Sequence, residues 1–163
     1  MHYQPIYNTE KQCYTSAEAL VRMKDERLGN ISPEIFIPIA ERTGKIVKLG
    51  TMVFEKVCKF MHEQNIANST IEYIEVNVSV LQCMREDFVE TILSIMDRYE
   101  IRPEQINLEI TETAEISELN ILQENVERLH GEGITFSLDD YGSGYSTLGY
   151  IHQFRSEEHT SEL

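Results

Sequence analysis

The chain has 163 residues, of which 41% are hydrophobic and 26% charged, and this composition indicates one soluble globular domain or most of one. Its formal net charge of −14 argues against binding a nucleic-acid polymer through a basic patch, but a bound divalent cation could still mediate contact with a small phosphate ligand. Three widely spaced cysteines without a CxxC pair, no signal peptide and no transmembrane-length apolar run predict a cytoplasmic protein with reduced thiols.

The first half of the chain predicts two helices. Ser32 followed by Pro33 indicates a helix N-cap with proline at the first helical position. Pro38 is expected to limit or kink this helix, because proline removes a backbone donor. The second helix is predicted from Met52 to about Gln64, with Met52 facing inward.

The second half alternates strands and helices. In chain order, the pattern predicts a strand at Ile71–Val80, a helix at Asp87–Glu100, a strand at Ile106–Thr113, a helix with Leu119, Leu122, Val126 and Leu129 on one stripe, and a strand at Ile134–Leu138. This order implies a parallel sheet, either doubly wound or closed into a barrel. Each strand has one apolar face and one unusually polar face, which favours the barrel, because a doubly wound sheet is apolar on both faces.

Polar residues recur at the carboxyl ends of the predicted strands. An earlier strand is predicted near SAEALVR, Ser16–Arg22, where Glu18, Leu20 and Arg22 share a face. With this strand included, the recurring polar residues are Glu18, Asn77, Glu109, Asp139 and Asp140. For each residue alone, a solvated strand end or a buried hydrogen-bonding group is the simpler interpretation, but the recurrence on four strands favours one shared site. An all-oxygen cluster suits Mg²⁺ or Mn²⁺, and two such ions can clamp a phosphoryl group and activate water. One of the adjacent aspartates could bridge the two ions, and Arg22 could hold a phosphate bidentately.

Six motifs follow one another along almost the whole chain. They are YQPI at Tyr3–Ile6, EALVR at Glu18–Arg22, SPEIFIPIAERTGKIVKLG at Ser32–Gly50, VNVS at Val76–Ser79, LEITET at Leu108–Thr113 and LDDYGSGYSTL at Leu138–Leu148. With them the chain resembles the EAL family of bacterial cyclic di-GMP phosphodiesterases. The resemblance implies an α/β fold, a TIM-like (β/α)8 barrel with an antiparallel first strand, of which about five of the eight strands are present here. It also implies hydrolysis of cyclic di-GMP to linear pGpG with two Mg²⁺ or Mn²⁺ ions.

The resemblance assigns roles to particular residues. The implied ligands of one ion are Glu18, Asn77, Glu109 and Asp139. Asp139 would also bridge to the second ion, which Asp140 helps to hold. The implied contacts to the dinucleotide are Gln4, Leu20 and Arg22, with Arg22 on phosphate.

The loop after Asp140 contains Gly142, Ser143 and Gly144, and Glu112 would order it. In the family this loop couples metal binding, catalysis and dimerisation. The resemblance therefore makes a homodimer one possible assembly, and the sequence alone leaves the oligomeric state open. The catalytic set implied by the family is Glu18, Glu112, Asp139 and Asp140.

The end of the chain departs from the family. RSEEHTSEL, Arg155–Leu163, matches the in-frame translation of a common sequencing adapter, and we interpret residues 1–154 as a partial EAL domain and this tail as an artefact. Five of eight strands leave two open sheet edges and half a core, so we expect the 163-residue chain to be marginally stable by itself. We also expect it to be inactive, because the family's later strands carry a lysine and a further glutamate. The alternatives are a cyclic di-GMP receptor that has lost catalysis and a non-functional truncated fragment. Any membrane tether would lie in segments of a longer parent.

Overall fold

The computed structural model describes residues 1–111 and 119–139, and its centre is one mixed sheet. The strands, in spatial order, are β1 (His2–Asn8), β2 (Cys13–Leu20), β5 (Tyr73–Ser79), β6 (Ile106–Thr111) and β7 (Thr135–Asp139). The first pairs antiparallel with the second, and all other pairs are parallel. The predicted α/β, TIM-like fold with an antiparallel first strand is therefore confirmed as a five-stranded part of a barrel.

Helices connect the parallel strands. They are α1 (Pro33–Arg42), α2 (Ile46–Glu63), α3 (Val80–Cys83), α4 (Phe88–Arg98) and α5 (Leu119–Gly131). A small hairpin of β3 (Met23–Asp25) and β4 (Gly29–Ile31) precedes α1. No helix in the described part of the chain is both long and apolar enough to span a membrane.

The core lies between the sheet and the helices. One face of the strands contributes Ile74, Val76, Ile106, Leu108 and Ile110, each at most 1% exposed. The predicted stripe of α5 packs onto this layer through Leu122, Val126 and Leu129, all fully buried. The apolar side chains that recur every two residues in the strands and every 3.6 residues in the helices therefore form a single layer. The opposite face of the sheet keeps its polar side chains and is available for a binding site.

The prediction of the second helix is wrong in its start and in one inward residue. The helix begins at Ile46, six residues before the predicted Met52, and Met52 is 47% exposed rather than inward. Pro38, expected to limit or kink α1, does not end it, because the ten-residue helix tolerates the loss of one backbone donor and continues to Arg42. A kink at Pro38 stays a prediction. The predicted start of α1 at Pro33, directly after Ser32, is confirmed.

The strand predicted to reach Val80 ends one residue earlier, because Ser79 is the N-cap of α3. Its hydroxyl accepts the Leu81 N–H at 3.3 Å, and its own N–H donates to the Gln82 side chain at 3.1 Å. This reciprocal pair is a capping box. The chain passes from strand to helix with no loop residue between them.

Gly50 lies in α2 where this cap approaches the helix. A Cβ atom added at Gly50 would lie 1.8 Å from Nε2 of Gln82, a side chain only 6% exposed. The absence of a side chain at Gly50 therefore lets Gln82 reach the Ser79 N–H.

We expect Gly50→Ala to lower the free energy of unfolding by about 1–3 kcal/mol, because the methyl group would push Gln82 out of the capping box. Urea denaturation followed by circular dichroism measures this change. Gly131→Ala is the matched control, since a Cβ atom there meets nothing within 4 Å. That substitution should be neutral or stabilising by up to about 1 kcal/mol. Wild-type stability of Gly50→Ala would contradict the packing argument.

Candidate active site at the carboxyl edge of the sheet

The register of the parallel strands brings the predicted site residues to one edge. Asn77 on β5 is the cross-strand partner of Glu109 on β6, and Thr111 is the partner of Asp139 on β7. Glu18 on β2 pairs with Glu75, two positions before Asn77 on the same strand. Because side chains alternate between faces, Glu18, Asn77 and Glu109 lie on the polar face.

A direct contact joins the first two strands of this site. Nδ2 of Asn77 donates a hydrogen bond of 2.9 Å to Oε1 of Glu18, and both side chains are half-buried. Because the amide nitrogen is used in this bond, the amide oxygen is the atom of Asn77 left to ligate a cation. The bond therefore fixes the orientation of two predicted ligands at once.

A cavity of about 400 Å³ opens beside this pair. Leu20 and Arg22 line it at the end of β2, so the structure places both predicted dinucleotide contacts next to Glu18. The guanidinium of Arg22 is exposed and donates from Nη1 to the Val21 carbonyl at 2.9 Å. Gln4, the exposed cross-strand partner of Glu18 on β1, lies at the side of the same site.

A further carboxylate lies deeper on the polar face. Glu75 is half-buried, and burial is the main cause that raises the pKa of its carboxyl group, with the charge of Glu18 adding to it. The sequence places Glu75 on the same face as Asn77, but alternation alone did not mark it as part of the site. Two carboxylates side by side in a half-buried position create a negative potential that a cation would relieve.

The polar face continues across the last two strands as a hydrogen-bonded network. Nδ2 of Asn107 donates to Oγ1 of Thr135 at 3.0 Å, and Oγ of Ser137 donates to Oδ1 of Asn107 at 2.8 Å. The interior below the site is therefore polar and internally satisfied, as a barrel interior beneath an active site can be.

Part of the predicted site lies outside the described residues. This holds for Glu112, Asp140 and the loop residues Gly142, Ser143 and Gly144, and for the side chain of Asp139. Among residues 1–111 and 119–139, no three His, Cys, Asp or Glu side chains converge as a metal site. The described part supplies two carboxylates and one amide oxygen, which fit a hard cation by type, and the complete ligand set stays a prediction.

The fold and this edge define a class of protein, a (β/α)-barrel domain with an acidic site at the carboxyl ends of its strands. The sequence matches the EAL domain family over residues 1–158. The chain belongs to this family.

Curated relatives are identical to this chain at about a third of the aligned positions. The bifunctional diguanylate cyclase/cyclic di-GMP phosphodiesterase MucR of Pseudomonas aeruginosa is 31% identical over 97% of this chain and 23% of its own length. The probable cyclic di-GMP phosphodiesterase PdeG of Escherichia coli is 34% identical over 92% of this chain and 30% of its own length. The chain therefore spans less than a third of each of these two relatives.

A solved structure of the MucR phosphodiesterase in complex with cyclic di-GMP superimposes with a TM-score of 0.82 at 31% identity. The match covers 94% of this chain and 62% of that one.

We expect Glu75→Gln to change the pH dependence of stability in EDTA-treated protein. Burial raises the folded-state pKa of Glu75, so the folded state favours the protonated carboxyl group. The stability that protonation provides is complete below the pKa of a free glutamate and is lost as pH rises through the raised folded-state pKa. The variant should therefore be more stable than the wild type at about pH 7 and no more stable at about pH 3.5. Urea denaturation at both pH values measures this, and a difference independent of pH would contradict it.

Proposed function

We propose that this domain hydrolyses one phosphodiester bond of cyclic di-GMP and releases linear pGpG, using two Mg²⁺ or Mn²⁺ ions. The observation that carries the proposal is the hydrogen bond between Asn77 and Glu18 beside the 400 Å³ cavity, with Glu109 on the neighbouring strand. Membership of the EAL domain family supports it, as do the phosphodiesterase names of the relatives.

The proposed ligands of the ions are Glu18, Asn77, Glu109, Asp139 and Asp140. When bound, such ions act as Lewis acids on a phosphoryl group and lower the pKa of a coordinated water. The contribution of this chain is to hold carboxylate oxygens at fixed positions. The contact between Asn77 and Glu18 prevents either side chain from turning away when no cation is present.

The proposed substrate contacts are on β1 and at the end of β2. Arg22 would leave the Val21 carbonyl and donate to a phosphate oxygen, because an ionised acceptor makes the stronger hydrogen bond. Leu20 would contact the dinucleotide through its apolar side chain, and Gln4 would bind a polar edge of a nucleotide. Glu112 would order the loop at Gly142, Ser143 and Gly144, through which a homodimer is also proposed.

We expect Glu18→Ala to reduce pGpG formation by at least about 100-fold, because even outer-shell partners of a metal site contribute 10–100-fold. Liquid chromatography of pGpG in Mn²⁺ buffer measures this in the longest protein encoded by the source gene. Glu72→Ala is the control, since Glu72 is an exposed carboxylate near the opposite end of β5 and is paired with Lys11 at 2.7 Å. An unchanged rate in Glu18→Ala would contradict the proposal.

The same assay distinguishes an enzyme that hydrolyses cyclic di-GMP from a receptor that only binds it. Binding of cyclic di-GMP without any pGpG formation by that longer protein would support the receptor and overturn hydrolysis. For the 163-residue chain alone we propose binding without turnover, because the family supplies a lysine and a later glutamate from strands beyond those seen here. Turnover by this chain would overturn that proposal.

We expect Arg22→Lys to weaken binding of cyclic di-GMP about tenfold, because an ammonium group cannot reproduce the planar bidentate contact to phosphate. Isothermal titration calorimetry of the chain measures the dissociation constant. Arg27→Lys on the hairpin is the matched control, since Arg27 is equally exposed but does not line the cavity. Equal effects of the two substitutions would contradict a specific role for Arg22.

A further inference from the structure

A short hydrogen bond joins α1 to the end of β5. Oγ of Ser79 donates to Oε1 of Glu41 at 2.6 Å in a partly buried position. Ser79 is only 6% exposed, and Glu41 is half-buried in the last turn of α1. Both residues line the cavity that contains Glu18 and Asn77. A hydrogen bond to a carboxylate in such a position is stronger than one between neutral groups.

The hydroxyl group of Ser79 both accepts and donates a hydrogen bond. It already accepts the Leu81 N–H at 3.3 Å, and the Ser79 backbone N–H donates to Gln82 at 3.1 Å. The hydroxyl has one proton to donate, and Glu41 receives it. Glu41 therefore fixes the point at which β5, α1 and α3 meet.

We propose that Glu41 is a positioning residue for the pair formed by Asn77 and Glu18. Ser79 lies two residues after Asn77 on the same strand, so a fixed Ser79 restrains the last pleat of β5 from which the Asn77 side chain extends. The Asn77 amide is thereby held with its nitrogen on Glu18 and its oxygen available for a cation. The role in cation binding rests on the proposed function, whereas the positioning of Asn77 does not.

Glu34 provides a matched comparison on the same helix. It lines the same cavity and carries the same charge, but within the described residues it makes no hydrogen bond or ion pair. Removing either glutamate takes one negative charge away from the site. Only the removal of Glu41 also releases Ser79.

The first test needs no metal. In ¹H–¹⁵N correlation spectra of the 163-residue chain with EDTA, we expect Glu41→Ala to shift the side-chain NH₂ signals of Asn77. Glu34→Ala should leave these signals in place. Glu41→Gln should restore the wild-type positions, because its amide oxygen still accepts the Ser79 proton.

The second test measures Mn²⁺ affinity from the electron paramagnetic resonance signal of free Mn²⁺. We expect Glu41→Ala to weaken binding about tenfold, the usual effect of losing a partner that orients metal ligands. Glu34→Ala and Glu41→Gln should change it no more than about twofold, because neither breaks the hydrogen bond of Ser79 and solvent screens the charge that each removes.

The outcomes separate the two proposals. Unchanged Asn77 signals in Glu41→Ala, or equal losses of Mn²⁺ affinity in Glu41→Ala and Glu34→Ala, would overturn the positioning role. Absence of Mn²⁺ binding that depends on Glu18 would overturn the proposed function, and the metal-free spectra would then decide the positioning role alone. Thermal denaturation of each variant shows whether it is folded. If Glu41→Ala is not, Glu41→Asp replaces it in both tests, because the shorter side chain keeps the charge but withdraws the carboxylate from Ser79.

Discussion

The hydrogen bond between Asn77 and Glu18 depends on the pairing of β2 with β5, and the candidate site depends on that bond. Glu18 is registered with Glu75, so Asn77 reaches it diagonally from two residues further along. A register slip of one residue would move Asn77 to the helix-covered face and Val78 to the site. The apolar side chains on the other face oppose such a slip, because it would expose Ile74, Val76 and Val78 to the polar side.

The two faces of the sheet thus have separate tasks. The helix-covered face provides the buried apolar area that stabilises the fold. The polar face carries half-buried groups that do not favour folding, of which Glu75 is the clearest, since burial disfavours its charged form. A protein retains such groups where they serve a site, and here they lie directly below the predicted ligands.

Much of the fold could be predicted from the sequence, because strand alternation and helical periodicity reflect the same apolar layer. The failures are local and have tertiary causes. Gly50 lies inside α2 although glycine has a low helix propensity, and its lack of a side chain is explained by Gln82, which occupies the adjacent space. The β3–β4 hairpin has three-residue strands, too short for periodicity, and its turn is held by Asp25, which accepts the N–H groups of Arg27 and Leu28.

The candidate site also has a part that could be predicted from the sequence and a part that could not. Glu18, Asn77 and Glu109 could be placed together from strand ends alone, because parallel strands bring their carboxyl ends to one edge. The contact between Glu41 and Ser79 could not be predicted from the sequence, because it joins residues 38 positions apart through the packing of a helix on a strand. Periodicity identifies the face of Glu41 but not its partner.

The junction between β5 and α3 also limits how this protein can vary in length. Ser79 ends β5 and caps α3, so the segment from Asn77 to Gln82 contains no loop residue. An inserted or deleted residue there could not be absorbed by a loop. It would rotate either the asparagine away from Glu18 or the glutamine away from Gly50. Insertions between β1 and β2 meet no such obstacle, because the turn there is exposed at its tip. The number of residues between Asn77 and Gln82 therefore cannot change without disrupting either the candidate site or the packing of α3 against α2.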